Sequence, residues 1–195
     1  TKEPRLSRTD SLQVNGAVST RISTANEERT AHLALNLGTE EWGFLSSFTY
    51  TKLGDQEMGA TGPATYKRDS FATRINEQDQ TVANDDPLTQ TPSGFEEWFA
   101  MQKVRYDPKA SPWQFDYGFH FSRTSDIPRY DRLTLKGDNG KFANATWYYG
   151  PQIWMMNHLN VRYQQETALF DKARLSLAQQ FYEESRHDRG YQDTF

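Results

Sequence analysis

The chain contains no cysteine, which removes disulfides, thiolate metal sites and cysteine nucleophiles from consideration. No apolar run approaches the eighteen or so residues that a membrane-crossing helix needs. Apolar residues of any kind are scarce, at 35% of 195 with a mean hydropathy of −0.89, low for a compact core of this length. Basic charge is not in excess: 22 Lys and Arg face 26 Asp and Glu, a net −4, which argues against a nucleic-acid partner. The opening Thr1-Lys-Glu-Pro4 lacks the charged-then-apolar pattern of a secretory leader and reads as an internal piece of something longer. Gly-rich phosphate loops, nucleophile elbows and H-E-x-x-H are missing. The expectation is a protein that is not an enzyme, with no metal and no cofactor.

Aromatics, by contrast, are abundant at 14%, too many for a disordered chain. The densest run places Trp113, Phe115, Tyr117, Phe119 and Phe121 on one parity and Gln114, Asp116, Gly118 and His120 on the other. Alternating side chains of a strand face opposite ways, so one surface is aromatic and its reverse polar. The pattern recurs in segments of roughly ten residues separated by polar turns, the signature of a transmembrane β-barrel. Seven strands are predicted over 11–24, 30–37, 42–53, 95–106, 113–121, 153–164 and 173–185. In 95–106, Phe99 and Met101 oppose the parity of Trp98 and Val104, which suggests a bulge; Asn157 and Gln179 sit awkwardly on otherwise apolar parities. Strand-end aromatics, Trp42, Tyr50, Tyr106, Trp113, Phe121, Trp154 and Tyr163, suit an interfacial girdle.

The connections alternate. Segments 38–41, 107–112 and 165–172 are short, whereas 54–94 and 126–152 are long, as in barrels with short periplasmic turns and long external loops. The short link at 25–29 falls on the long-loop side. Segment 54–94 is mostly Thr, Asp, Gln and Gly, a composition expected to stay mobile until something binds.

Three local strings, Ser125-Asp-Ile-Pro-Arg-Tyr-Asp-Arg-Leu133, Trp147-Tyr-Tyr-Gly-Pro-Gln152 and Phe181-Tyr-Glu-Glu-Ser-Arg-His-Asp-Arg189, resemble barrel segments of TonB-dependent outer-membrane receptors. Phe44-Leu-Ser-Ser-Phe-Thr-Tyr-Thr-Lys-Leu-Gly-Asp55, with Met58-Gly59, is similar to an earlier strand and loop of such receptors. The resemblance covers most of the chain, from about Ser11 to His187. It implies a bacterial outer-membrane receptor importing a scarce nutrient of the siderophore, haem or cobalamin class, with a barrel of about 22 strands. All 195 residues then form part of that one barrel domain, about a third of its circumference. The plug domain and the segment that engages TonB have no counterpart here. A soluble β-rich binding or adhesion domain of a secreted protein is the alternative.

Two residue groups stand out. On the inferred lumen side lie His32, Arg105, Asp116, His120, His158, Arg162 and Arg174, residues that a polar lumen accommodates and that a plug could touch. In the second long loop, Arg129, Tyr130, Arg132, Trp147, Tyr148 and Tyr149 combine guanidinium forks with aromatic faces, which suit anions and flat surfaces. These six are the ligand-binding candidates, and a surface lipoprotein docking on this loop is the alternative use. Glu183, Glu184, His187 and Asp188 look like a metal cluster on paper, but strand geometry separates them.

Overall fold

The computed structural model describes residues 2–193. The chain is all-β, and its elements follow one another as β1 (Gln13–Ser23), β2 (Glu28–Gly38), β3 (Trp42–Leu53), β4 (Gln56–Glu57), β5 (Ser70–Ile75), β6 (Gln78–Ala83), β7 (Thr89–Gln90), β8 (Phe95–Tyr106), β9 (Trp113–Thr124), β10 (Ile127–Pro128), α1 (Tyr130–Leu133), β11 (Asn144–Tyr149), β12 (Ile153–Tyr163), β13 (Ala173–Glu183) and β14 (Arg186–Gly190). Seven long strands build one antiparallel sheet in the order β1-β2-β3-β8-β9-β12-β13. The sheet is open. Its edges, β1 and β13, have no neighbour on their outer sides among the described residues.

Partners across the ladder share a face. Val18 pairs with Leu33, Leu33 with Phe48, Phe48 with Ala100, and Ala100 with Phe121, which lies beside Met155 and then Phe181. This row runs along one apolar face, and that face is uncovered: Val18 is 76% exposed, Ile22 81% and Leu175 54%. Large apolar surface left bare on this scale requires a partner phase or partner protein. Charged side chains enter this face only at the long-connection ends of the strands, at Arg29, Lys52, Glu96, Arg123 and Glu183. Lys52 and Glu96 pair there at 3.5 Å. Aromatics flank the charge-free band: Trp42 stacks on Tyr106 at 4.3 Å and Trp113 meets Tyr163 at 4.8 Å at the short-turn end, while Tyr50 meets Trp98 at 5.5 Å at the other.

The predicted bulge in 95–106 is absent, a correction to the sequence reading. Strand β8 pairs without interruption from Phe95 opposite Leu53 to Tyr106 opposite Trp42, so Phe99 and Met101 stay on the polar face against Thr49 and Ser47. The two long neighbours, each in full register, fix β8's phase more firmly than its own composition does. Trp154 likewise falls on the polar face, where its indole N–H donates to Gln180 at 3.1 Å. Two pairs of polar side chains inside the apolar band satisfy each other. Tyr117 donates its hydroxyl to Asn157 at 2.7 Å, and Ser46 donates to Gln102.

The long connections carry more order than their composition predicts. Strands β5 and β6 form a hairpin turning at Asn76 and Glu77, both at positive φ. Asp55 clamps the return path by accepting from Thr91 Oγ1 at 2.7 Å and from the backbone N–H groups of Ser93 and Gly94 at 2.7 and 2.8 Å. Beyond the seventh long strand, β14 joins β10 and β11 in a three-stranded sheet. Together these pieces make a cap at one end of the main sheet. The short link between β1 and β2 lies at the same end, where Asn26 accepts from Gly54 N–H at 2.8 Å.

Candidate functional site

Both predicted residue groups occupy defined places. On the polar face, Asp116 is buried at 6% exposure and gathers cations from two neighbouring strands. Arg105 Nε donates to it at 2.6 Å, Gln114 Nε2 at 3.2 Å, and Arg162 lies 3.6 Å away. Arg174 donates to Asn160 at 3.0 Å, and His32 bonds Thr49 at 2.7 Å. His120 and His158 stack at 5.5 Å. That stacking depends on Gly118, because a Cβ there would lie 2.0 Å from His158 Cε1. His158 Nδ1 is buried without a hydrogen-bond partner in the structure.

Sequence reasoning missed the segment that crosses this face. Residues 2–7 run across its short-turn end. Asn36 exchanges hydrogen bonds with the Arg5 backbone at 3.0 and 3.3 Å. The buried Lys103 donates to the Lys2 carbonyl at 2.8 Å and pairs with Glu3 at 3.4 Å. Gly38 and Gly43 supply the clearance, since a Cβ on Gly38 would meet the Arg5 carbonyl at 2.3 Å. Beside this strap, His120, His158, Trp154, Arg162, Arg174 and Glu3 border a cleft of about 410 Å³.

In the cap, Arg129, Trp147 and Tyr149 come together. Strands β10 and β11 pair Ile127 with Tyr149, which brings the two ends of the 127–149 segment side by side. The Arg129 guanidinium grips Asp131 through two bonds of 2.8 Å, donates to Tyr149 at 3.0 Å, and lies 4.9 Å over the Trp147 ring. Asp131 therefore keeps its carboxyl below the usual carboxylate range, chiefly through Arg129. The other two aromatics point elsewhere: Tyr148 stacks on His187 at 4.8 Å, and Tyr130 packs under Arg68 at 5.4 Å. Arg132 stands at 3.7 Å from Asp131 with half its side chain exposed.

The cap's strongest anchors were not predicted. Asp79 is buried and accepts from Arg189 through both guanidinium nitrogens, from the Gln192 backbone at 2.8 Å, and lies 3.9 Å from Arg74. The Arg189 bonds hold its carboxyl below the ordinary range. This latch ties the β5–β6 hairpin to β14. Arg68, 5% exposed, ties the same hairpin to α1 by donating to the Leu133 carbonyl at 3.0 Å and to the Thr91 carbonyl at 3.1 Å. Single charges inside polar segments give no sequence signal for such long-range pairs. The acidic residues near the end of β13 do not form a metal cluster: Glu184 accepts from Gln152 and Tyr182, whereas His187 faces Ser185 and Tyr148.

No protein-family model matches this sequence, no curated protein matches it, and no solved structure matches its fold.

Proposed function

We propose that this chain is part of the barrel wall of a TonB-dependent uptake receptor in a bacterial outer membrane, importing a scarce nutrient of the siderophore-iron, haem or cobalamin class. One observation carries the membrane half of this reading. The main sheet bears an exposed apolar face whose charges all lie in the outermost two rows at the cap end, with aromatics at both ends of the charge-free band. Such a face suits lipid, where a mid-depth charge costs about 2–4 kcal/mol, while the reverse face, with Asp116, Arg21, Arg105, Arg162, Arg174, His32, His120 and His158, suits a wet interior. Strands of 11–12 residues match the length that crosses a bilayer at a tilt.

The remaining parts of the proposal rest on the resemblance in sequence. Seven strands make about a third of a barrel of roughly 22 strands, with outer-membrane lipid outside and the receptor's own plug inside, against the His120, His158, Arg162 and Arg174 side. Energy coupling to TonB runs through segments beyond this chain. Ligand contacts come from the cap, with Arg129, Tyr130, Arg132, Trp147, Tyr148 and Tyr149 as the surface offered to the nutrient or to a surface lipoprotein. Because Arg129 is already neutralised by Asp131 and Trp147 is buried, Arg132 and the tyrosine rings carry more of that contact. Membrane fractionation of the full-length product tests the reading. It should resist alkaline extraction and need detergent to stay in solution. Release into buffer without detergent refutes the barrel and favours a soluble β-rich binding domain.

A further inference from the structure

We propose that the cap holds a binding site for a small oxyanion-bearing molecule, centred on Arg68 in the cleft between the start of β5 and α1. The cleft measures about 440 Å³ and is bordered by Tyr66, Lys67, Arg68, Tyr130, Lys136 and Phe142, a size that suits a small organic ligand. Arg68 is its most unusual wall. It is buried, yet its contacts are two backbone carbonyls and the faces of Tyr130 and Phe142, at 5.4 and 5.1 Å from the guanidinium carbon. No carboxylate among the described residues pairs with it.

The contrast with the chain's other buried cations is direct. Lys103 has Glu3 at 3.4 Å, and Arg189 has Asp79. A buried charge without a counter-ion is costly, and an incoming anion removes that cost. Nε and Nη2 of Arg68 are already engaged, which leaves Nη1 as the nitrogen without a protein acceptor. Lys67 and Lys136 are exposed on the rim, and Asp69 is the one acid in the lining, so three cations face one carboxylate. A planar guanidinium flanked by rings selects a carboxylate or phosphate carried on a molecule with a flat or apolar face.

This deepens the uptake reading by naming the chemistry of its cargo, and its purpose rests on that reading, although the binding itself does not. Calorimetric titration of the full-length protein in detergent solution, at low salt, with inorganic phosphate, citrate and neutral glucose tests it. Saturable binding of phosphate, of citrate or of both is expected, and which of them binds separates phosphorylated from carboxylated ligands. Glucose should give none. K136M should weaken binding about tenfold, the loss of one charge-assisted contact. R68M should abolish it while Trp147 fluorescence reports that the cap is still folded; should that variant open the cap, the K67M/K136M double variant decides instead. No saturable heat with either anion, or affinities unchanged in K136M and in K67M/K136M, overturns the site. Neither result bears on detergent dependence, so the two proposals fail separately.

Discussion

Phe48 lies at the centre of β3, six residues after Trp42 and five before Leu53, and half its surface is bare at 47% exposure. A strand of 12 residues extends about 40 Å at about 3.4 Å per residue. On the proposed membrane reading, a tilt of about 45° makes it span roughly 28 Å of membrane normal, which would put Phe48 within a few ångströms of mid-depth. Arginine there should destabilise the protein by about 2–4 kcal/mol, a shift of roughly 30- to 900-fold in the folding equilibrium. Its neighbour Ser47 points to the opposite face, between Ala34 and Met101, and arginine there should cost under about 1 kcal/mol. A third variant separates lipid from packed protein. Phe48→Trp should be near neutral against fluid lipid, whereas a tight protein core resists the added volume by about 1–3 kcal/mol. Urea unfolding of the full-length protein in lipid vesicles measures all three. Equal costs for F48R and S47R would sink the facing assignment, and a large cost for F48W would show that protein, not lipid, covers this face.

Further predictions follow from the ends of the sheet. The chain has no native cysteine, so single cysteines report cleanly: an impermeant maleimide added to intact cells should label G59C in the cap but not L169C, which is 90% exposed in a short turn. Labelling of L169C alone inverts the orientation. D79N, which removes the carboxylate charge that Arg189 grips, should weaken the cap by about 1.5–3 kcal/mol, read as faster proteolysis after Ala83 with the main sheet intact. Because Asp79's carboxyl is held below its usual range, the latch is at full strength above the unfolded carboxylate pKa of about 3.9 and is lost as pH falls through the depressed value. Cap protection should therefore persist at pH 5, and cap opening already at pH 5 would contradict it. G38A, whose Cβ has no room beside the Arg5 carbonyl, should release the strap and expose Arg5 and Arg8 to trypsin; unchanged cleavage would show the strap is not held there.

The main sheet was legible in the sequence because each long strand repeats a two-residue period over ten or more positions. All seven strand positions match, and the faces follow from them once partners are paired. The misses share a physical cause. Phe99 and Met101 suggested a bulge because local composition was read without the neighbours β3 and β9, whose continuous ladders set the phase. The cap strands β5, β6, β11 and β14 run only five or six residues, too short for alternation to mark them. They are held by Asp55, Asp79 and Arg68, side chains whose partners lie far away in sequence. Of the predicted ligand group, Arg129, Trp147 and Tyr149 do converge, whereas Arg68 carried no sequence signal, lying in a segment whose composition suggested mobility.

The Asp79–Arg189 latch also fixes an order of assembly. Its partners are separated by 110 positions, whereas every neighbour in the main sheet follows the previous strand in sequence order. Hairpins of adjacent strands close small loops and form early; the latch must wait until β13 is in place and β14 emerges beyond it, because only then is the long loop between its partners already shortened by the sheet. The hairpin β5–β6, made near the start of the chain, thus stays untethered until the last strand arrives. Closure of the cap becomes a molecular signal that the seven-stranded sheet beneath it has formed, and a chain stalled or cut before Arg189 leaves that cap open to proteases.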